Sequence, residues 1–100
     1  MRPVNIHGLD TPNVGDRHCA PSLYFPIGEG WDIRTTVDPG RPLVVGGGGA
    51  LPHFNTQIKR ALEGRSGPSV AWGIGCNRHG SSRPGWDDDC LHGFDLVGLR

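Results

Sequence analysis

The stretch LVVGGGGALP, residues 43–52, constrains the fold of this chain more than any other feature. Three apolar residues that suit a buried strand run directly into four glycines, Gly46 to Gly49. Glycine loses more backbone entropy on folding than any other residue. The run therefore indicates either a tight turn with close packing or a place where a ligand approaches the backbone. It predicts a glycine loop between a buried strand and the helix that follows it.

Composition limits the classes of protein and partner. A chain of 100 residues forms one domain. Ten basic residues balance ten acidic ones, so no net positive field attracts nucleic acid or an anionic membrane. Three cysteines suggest no paired disulfide framework, and no apolar run has the length of a signal peptide or a membrane span. We expect a cytoplasmic protein with no nucleic-acid partner and no membrane insertion.

Strand and helix patterns alternate along the chain. Clusters of Val, Ile and Leu predict strands, and apolar spacings of three and four residues behind a cap predict helices. The expected strands cover residues 4–7, 33–37, 43–45, 69–75 and 94–100, and the expected helical segments cover 17–25, 53–63 (closed by Gly64) and 89–91. This order calls for an α/β fold with a mostly parallel sheet and flanking helices.

Glycine-containing loops follow three of the expected strands. In open parallel sheets, ligands bind beyond the carboxyl ends of the strands, where backbone N–H groups and helix N-termini are available. The predicted substrate-binding residues are those of the three loops: Asn13, Gly15, Asp16, Gly46, Gly47, Gly48, Gly49, Gly73 and Gly75. A purely structural role is open for each, because glycines permit tight turns and Asp16 is also a suitable helix N-cap.

Four short motifs add a family resemblance. They are NVGD at residues 13–16, LVVGGGGAL at 43–51, VAWGIG at 70–75 and DLVGLR at 95–100. In order and in kind these motifs resemble those of the N-terminal part of polysaccharide pyruvyl transferases. They span nearly the whole chain. The interval between Asp16 and Gly46 is shorter than the family pattern, and Pro21 and Pro26 interrupt its expected first helix.

The resemblance implies a fold and an activity. The family transfers a pyruvyl group from phosphoenolpyruvate to a sugar and forms a ketal on cell-wall or exopolysaccharide. Its fold resembles that of two-lobed glycosyltransferases with Rossmann-like halves, and its members are roughly three times this length, as two or more domains require. Residues 1–100 would then be one Rossmann-like domain, a fragment of a longer enzyme. Phosphoenolpyruvate and a saccharide acceptor would be its partners, and no metal or other cofactor is expected.

The resemblance leaves the catalytic residues unassigned. The groups that hold phosphoenolpyruvate are expected in the second half of the family's fold, so the isolated chain is expected to be inactive. Two alternatives stay open: a half-domain of a glycosyltransferase that uses a nucleotide sugar, and a non-catalytic remnant or binding domain. Binding of nucleotide sugars but not phosphoenolpyruvate would favour the first, and a stable fold with no active longer form would favour the second. An open sheet edge or apolar face would also favour oligomers.

Other residue clusters carry weaker signals. Asp87, Asp88 and Asp89 are of the type that holds a divalent cation, although such runs are usually solvated loops. A second set has zinc-ligand chemistry with irregular spacing: Cys76, His79, Cys90 and His92. Trp72 lies in an expected buried strand and is predicted to pack in the core, whereas Trp86 in a loop is the better candidate for a sugar platform.

Overall fold

The structure is a computed structural model that describes residues 2–8, 18–46, 48–51, 55–76 and 89–99. Its strands are β1 (Val4–His7), β2 (Glu29–Asp32), β3 (Leu43–Val45), β4 (Gly48–Leu51), β5 (Ser69–Cys76) and β6 (Leu96–Leu99). Its helical elements within these ranges are a first 3-10 helix (Pro21–Leu23), α1 (Asn55–Leu62) and a second 3-10 helix (Asp89–Gly93).

All of the strand pairs in the described part of the chain are parallel. The order across the sheet is β2, β1, β3, β5, with β4 and β6 also paired to β5. Val45 lies opposite Ala71, and Gly48 opposite Ile74, which is the same register. β3 and β4 therefore lie in line along one edge of β5, and β6 occupies its other edge. The six strands therefore occupy five positions in the sheet. A parallel sheet with a helix packed on it is an α/β fold, as the sequence predicted.

One face of the sheet carries the hydrophobic core. Side chains alternate along a strand, so Val4 and Ile6 of β1 point to this face. Ile58 of α1 and Phe94, which follows the second 3-10 helix, are buried against it. The remaining members of the cluster come from the central strands and from the segment after β2: Ile33, Val37, Leu43, Val45, Ala71 and Ile74. The segment after β2, α1 and the segment before β6 thus form a single layer over this face of the sheet.

The opposite face is covered unevenly. Asn5 lies on it, and the backbone N–H of Ser22 donates to Asn5 Oδ1 at 3.1 Å, so the connection from β1 to β2 crosses here. Farther along the sheet, Trp72 and Leu96 stay 44% and 64% exposed. Parallel sheets are normally covered on both faces. Among the residues that the structure describes, no second layer covers the apolar surface of β5 and β6 on this side.

The guanidinium of Arg65 holds the end of α1 to the loop before β3. Its Nε donates to the Ala61 carbonyl at 3.0 Å, and its two terminal nitrogens donate to the carbonyls of Arg41 at 2.6 Å and Asp38 at 3.1 Å. Arg41 in turn donates to the Arg2 carbonyl. Three separate segments are joined in this way through backbone acceptors.

Several elements confirm the sequence predictions. β1, β3 and α1 match their expected positions closely, and Gly64 has the positive φ of +62° that closes a helix. β5, β6 and the second 3-10 helix also lie where strands and a helical turn were expected. No helix in the described ranges is long and apolar enough to cross a membrane.

Three predicted elements are wrong in the described residues. The strand expected at 33–37 lies earlier, at Glu29–Asp32, because Asp32 turns the chain: its carbonyl accepts from Thr35 and its side chain from Arg34. The helix expected to reach residue 25 is α-helical at His18 and is then replaced by the short 3-10 helix that Pro21 starts. The glycine loop after β3 is also wrong, since the chain continues as β4 from Gly48.

Candidate functional site

The candidate site lies at the end of β1, where the strand order reverses. β1 has β2 on one side and β3 on the other, so the chain leaves β1 in one direction and returns on the other side. Ligands of open parallel sheets bind at such a switch point, beyond the carboxyl ends of the strands. β1 and β2 end at His7 and Asp32, whereas the line of β3 and β4 runs on to Leu51. This difference leaves a step beside β4 in the described part of the sheet.

Strand register places the residues at this level in one row. His7 on β1 lies opposite Asp32 on β2. On its other side, β1 pairs with β3 up to Ile6 and Val45, so the next residues, His7 and Gly46, lie side by side. Trp72 comes next on β5, and it lies opposite Gly98 on β6. Partners in parallel strands point to the same face of the sheet. The row therefore changes from ionisable side chains at one end to an indole at the other.

His7 is the unusual member of the row. Its side chain is only 2% exposed, and its buried Nδ1 has no hydrogen-bond partner among the described residues. Burial lowers the pKa of His7 below 6.5, and the nearby negative charge of Asp32 only partly opposes that effect. The imidazole is therefore neutral at pH 7, with one nitrogen that donates and one that accepts. An unpaired buried ring nitrogen is the kind of group that a polar ligand satisfies.

Gly30 and Ser22 pack directly around this imidazole. A Cβ at Gly30 would lie 3.1 Å from His7 Nε2 and 2.8 Å from Ser22 Oγ. The hydroxyl and the ring nitrogen are thus neighbours across a glycine. A larger residue at position 30 would displace one of them. The absence of a side chain here keeps a hydroxyl beside the neutral imidazole.

The side chain of Asn5 forms hydrogen bonds with the backbone of the segments that carry this row of residues. Its Nδ2 donates to the Gly46 carbonyl at 2.9 Å and to the Val44 carbonyl at 3.2 Å, and its Oδ1 accepts from the Ser22 N–H. The side chain is fully buried. One amide therefore ties β1, the end of β3 and the first 3-10 helix together below the candidate site.

Gly46 has a structural reason to be glycine. Its φ is +136°, and a Cβ there would lie 2.0 Å from the Trp72 carbonyl oxygen. No real side chain tolerates that distance, so β3 and β5 approach this closely only because Gly46 has none. Gly73 on β5 has a φ of +59° with open space around it, and the pairing of β5 with β6 shifts there. Gly46 thus permits the close approach of β3 to β5, and Gly73 permits the irregular backbone of β5 at the same level.

The predicted substrate-binding residues fall into two groups. Asn13, Gly15, Asp16 and Gly47 lie outside the described residues. Four of the others lie inside strands, namely Gly48 and Gly49 in β4 and Gly73 and Gly75 in β5, and Gly46 directly follows β3. The structure brings this second group together, because β4 and β5 are paired. Gly48 and Gly49 also line the step beside β1, so their binding role stays a prediction.

The weaker clusters have mixed outcomes. The core position predicted for Trp72 is wrong, because the indole is 44% exposed and its ring lies 5.8 Å from that of Phe25. Trp86, His79, Asp87 and Asp88 lie outside the described residues, as do the side chains of Cys76, Asp89 and Cys90. His92 is exposed. Within the described part of the chain, no group of three His, Cys, Asp or Glu residues is placed to hold a metal ion.

Sequence reasoning missed His7, Asp32 and Ser22. The available signal was the alternation in Val4–His7, which places two apolar residues on one face and Asn5 with His7 on the other. A histidine as the last residue of a first strand lies at the carboxyl edge by position alone. Asp32 was hidden because its strand was expected five residues later.

Comparison of the chain with protein-family models, with curated proteins and with solved structures found no match. The parallel sheet, the row of residues at its carboxyl edge and the four short motifs are the features that bear on function.

Proposed function

We propose that this chain is the acceptor-side, N-terminal part of a cytoplasmic polysaccharide pyruvyl transferase. The observation that carries the proposal is the row at the switch point, where a buried neutral imidazole with an unpaired nitrogen lies beside the glycine-rich line of β3 and β4. Two of the four family-like motifs, at residues 43–51 and 70–75, form paired strands next to this position. The parallel sheet supports the fold that the resemblance implies, a Rossmann-like half of a two-lobed enzyme.

The residues at this site suit a sugar hydroxyl better than an anion. A neutral imidazole and a serine hydroxyl both donate and accept hydrogen bonds, as hydroxyl groups require. The Asp32 carboxylate at the adjacent strand end is paired with the Arg34 guanidinium at 3.4 Å, so its charge is compensated in part. In this proposal phosphoenolpyruvate, which carries a phosphate and a carboxylate, binds to cationic groups outside the row. In this proposal His7 and Ser22 bind and orient the acceptor.

The reaction assigns a simple task to the acceptor side. Two acceptor hydroxyls lose their protons as their oxygens bond to the central carbon of the enolpyruvyl group. One proton converts the methylene carbon to a methyl group, and the other leaves with inorganic phosphate when its C–O bond breaks. Holding the two hydroxyls in a fixed orientation lowers the entropic barrier to both bond formations. Stabilisation of the leaving phosphate requires cationic groups, which belong to the donor side. We therefore propose that the chain alone does not turn over phosphoenolpyruvate.

The strand order favours one second candidate. In doubly wound sheets, nucleotides also bind at the point where the strand order reverses, which here lies between β1 and β3. A glycosyltransferase half-domain that holds a nucleotide sugar would use the same step beside β4. The charge of Asp32 then suits a ribose hydroxyl rather than the diphosphate.

The test is ligand binding followed residue by residue. Amide chemical shifts of the ¹⁵N-labelled chain are recorded with neutral hexoses and N-acetylhexosamines, with phosphoenolpyruvate, and with nucleotide sugars. We expect saturable shifts at Gly8, Ser22 and Gly48 with a neutral sugar, and their loss in His7→Gln but not in His92→Gln. Shifts with nucleotide sugars alone would replace the proposal by the second candidate. Shifts with phosphoenolpyruvate alone at these residues, or with none of the compounds, would overturn it.

A further inference from the structure

The sheet face opposite the core has an apolar groove over β3, β5 and β6. The groove has a volume of about 550 Å³. Its lining is apolar or glycine throughout: Ile27, Val44, Val70, Ala71, Trp72, Gly73, Leu96, Val97 and Gly98. Large exposed apolar surfaces of this kind mark interaction sites in soluble proteins. The groove shares Trp72 and Gly98 with the far end of the row, whereas the proposed function uses the His7 end.

We propose that this groove is the interface of a two-fold symmetric dimer of this chain. In a two-fold interface the same patch meets itself, so it must carry both projecting and receding features. Here the exposed Trp72 projects next to Gly98, which is opposite it on β6 and has no side chain. A two-fold axis near this pair seats each indole over the glycine of the partner. The patch is thus complementary to its own copy.

Charge also favours a second copy over a charged partner. No charged side chain of the described residues lines the groove, and the net charge of the chain is zero. Two copies therefore meet without the repulsion that keeps strongly charged proteins apart. A basic or acidic partner would find no opposite charge on the groove itself.

The exposed area limits the strength of the dimer. Phe25 is 51% exposed and contacts Trp72, and Leu96 and Trp72 are 64% and 44% exposed. With ~200 Å² for each whole side chain, these three offer about 300 Å² per copy, or about 600 Å² for two copies. That area is below the ~1,000 Å² of a stable specific interface. We therefore expect a weak, reversible dimer rather than a permanent one.

The experiment measures the mass of the intact chain in solution. Sedimentation equilibrium over a concentration series is expected to show reversible association from 10.7 kDa to twice that mass. Gly98→Val fills the receding position, and a Cβ there meets the Ala71 carbonyl oxygen at an ordinary 3.6 Å, so the monomer fold tolerates it. Leu96→Lys places a charge on the exposed face. Each variant is expected to raise the dissociation constant about tenfold or more.

Leu23→Lys is the matched control, because Leu23 is 54% exposed and does not line the groove. It should leave the dissociation constant unchanged, and circular dichroism should show native secondary structure in all three variants. A monomeric wild-type chain would overturn the proposal and leave the groove to another polypeptide. Equal weakening by Leu23→Lys, or open-ended aggregation, would also overturn it. None of these outcomes depends on sugar binding at His7, so the proposed function is tested separately.

Discussion

Gly46→Ala tests whether the first glycine of the run is required by packing rather than by a ligand. Its φ of +136° lies in a region that non-glycine residues occupy at a cost of about 1–3 kcal/mol. The new Cβ would also lie 2.0 Å from the Trp72 carbonyl oxygen, which belongs to the rigid backbone of β5. Relief of that overlap requires β3 and β5 to separate locally. Loss of two or three strand hydrogen bonds costs roughly 1 kcal/mol each.

Together these terms predict a loss of about 3–6 kcal/mol in the free energy of unfolding. A domain of this size has a total stability of about 5–15 kcal/mol, so the variant is expected to be largely unfolded or to melt ~15 °C or more below the wild type. The assay is urea unfolding at neutral pH, followed by circular dichroism, with no ligand present. The same transition is measured for a control variant at a second positive-φ glycine.

Gly64→Ala is that control. Gly64 has a φ of +62°, and nothing lies within 4 Å of its Cβ position. Only the conformational term applies there, so a loss of about 1–2 kcal/mol is expected. The reasoning would be refuted if Gly46→Ala were no more destabilising than Gly64→Ala. That result would mean that β3 and β5 are not held as close as the structure shows.

Three further changes test the core, the buried amide and the histidine. Asn5→Ala leaves the Ser22 N–H without its acceptor and removes the donor of Gly46 and Val44, so a loss of about 2–4 kcal/mol is expected in urea unfolding; a change below 1 kcal/mol would contradict it. Ile58→Ala opens a cavity under α1 and should cost about 2–5 kcal/mol by the same measurement, whereas a neutral result would show that α1 does not pack on the sheet. The lowered pKa of His7 means that, below pH 6.5, the unfolded chain binds a proton that the folded chain resists. Stability should therefore fall as pH drops below 6.5, and melting curves of His7→Gln should show a smaller fall than those of the wild type; equal falls would refute burial of the imidazole.

The fold class follows from local patterns that the structure preserves. The apolar clusters of β1, β3, β5 and β6 are short and are separated by a helical pattern, which requires parallel pairing. The helix at 55–62 was visible from its apolar spacing, and Gly64 from its place after the last apolar residue. These features depend on neighbours three or four residues away, and a sequence shows such neighbours directly.

The misplaced features depend on contacts between distant segments. β2 reads EGWD, which has no alternating apolar pattern, and it is a strand because β1 pairs with it. Gly48 and Gly49 form β4 because β5 continues beside them, against their low intrinsic preference for strands. Trp72 stays exposed because no described element covers β5 on that face. The sequence pattern shows which residues are apolar, but it does not show how many layers cover the sheet.

The sequence predicted a site at the carboxyl edge of a parallel sheet, and that location stays a prediction. His7 and Asp32 end β1 and β2 at this edge, but neither was among the predicted site residues. The burial of His7 was not predictable, because it depends on residues that are distant in sequence, Ser22 in the first 3-10 helix and Gly30 in β2. Gly46 was noticed for its sequence context, although its contact with Trp72 joins strands that are far apart in the chain.

The interior position of β1, between β2 and β3, has a consequence for the order of folding. β1 leaves the ribosome before both of its partners, Glu29–Asp32 and Leu43–Val45, which lie more than 20 residues later in the chain. Because every described strand pair is parallel, no pair can form as a local hairpin. Chains dominated by such distant pairings fold in milliseconds to seconds rather than microseconds. β1 therefore stays unpaired until β2 has emerged and keeps one open edge until β3 follows, and during this interval the chain is most open to misassociation.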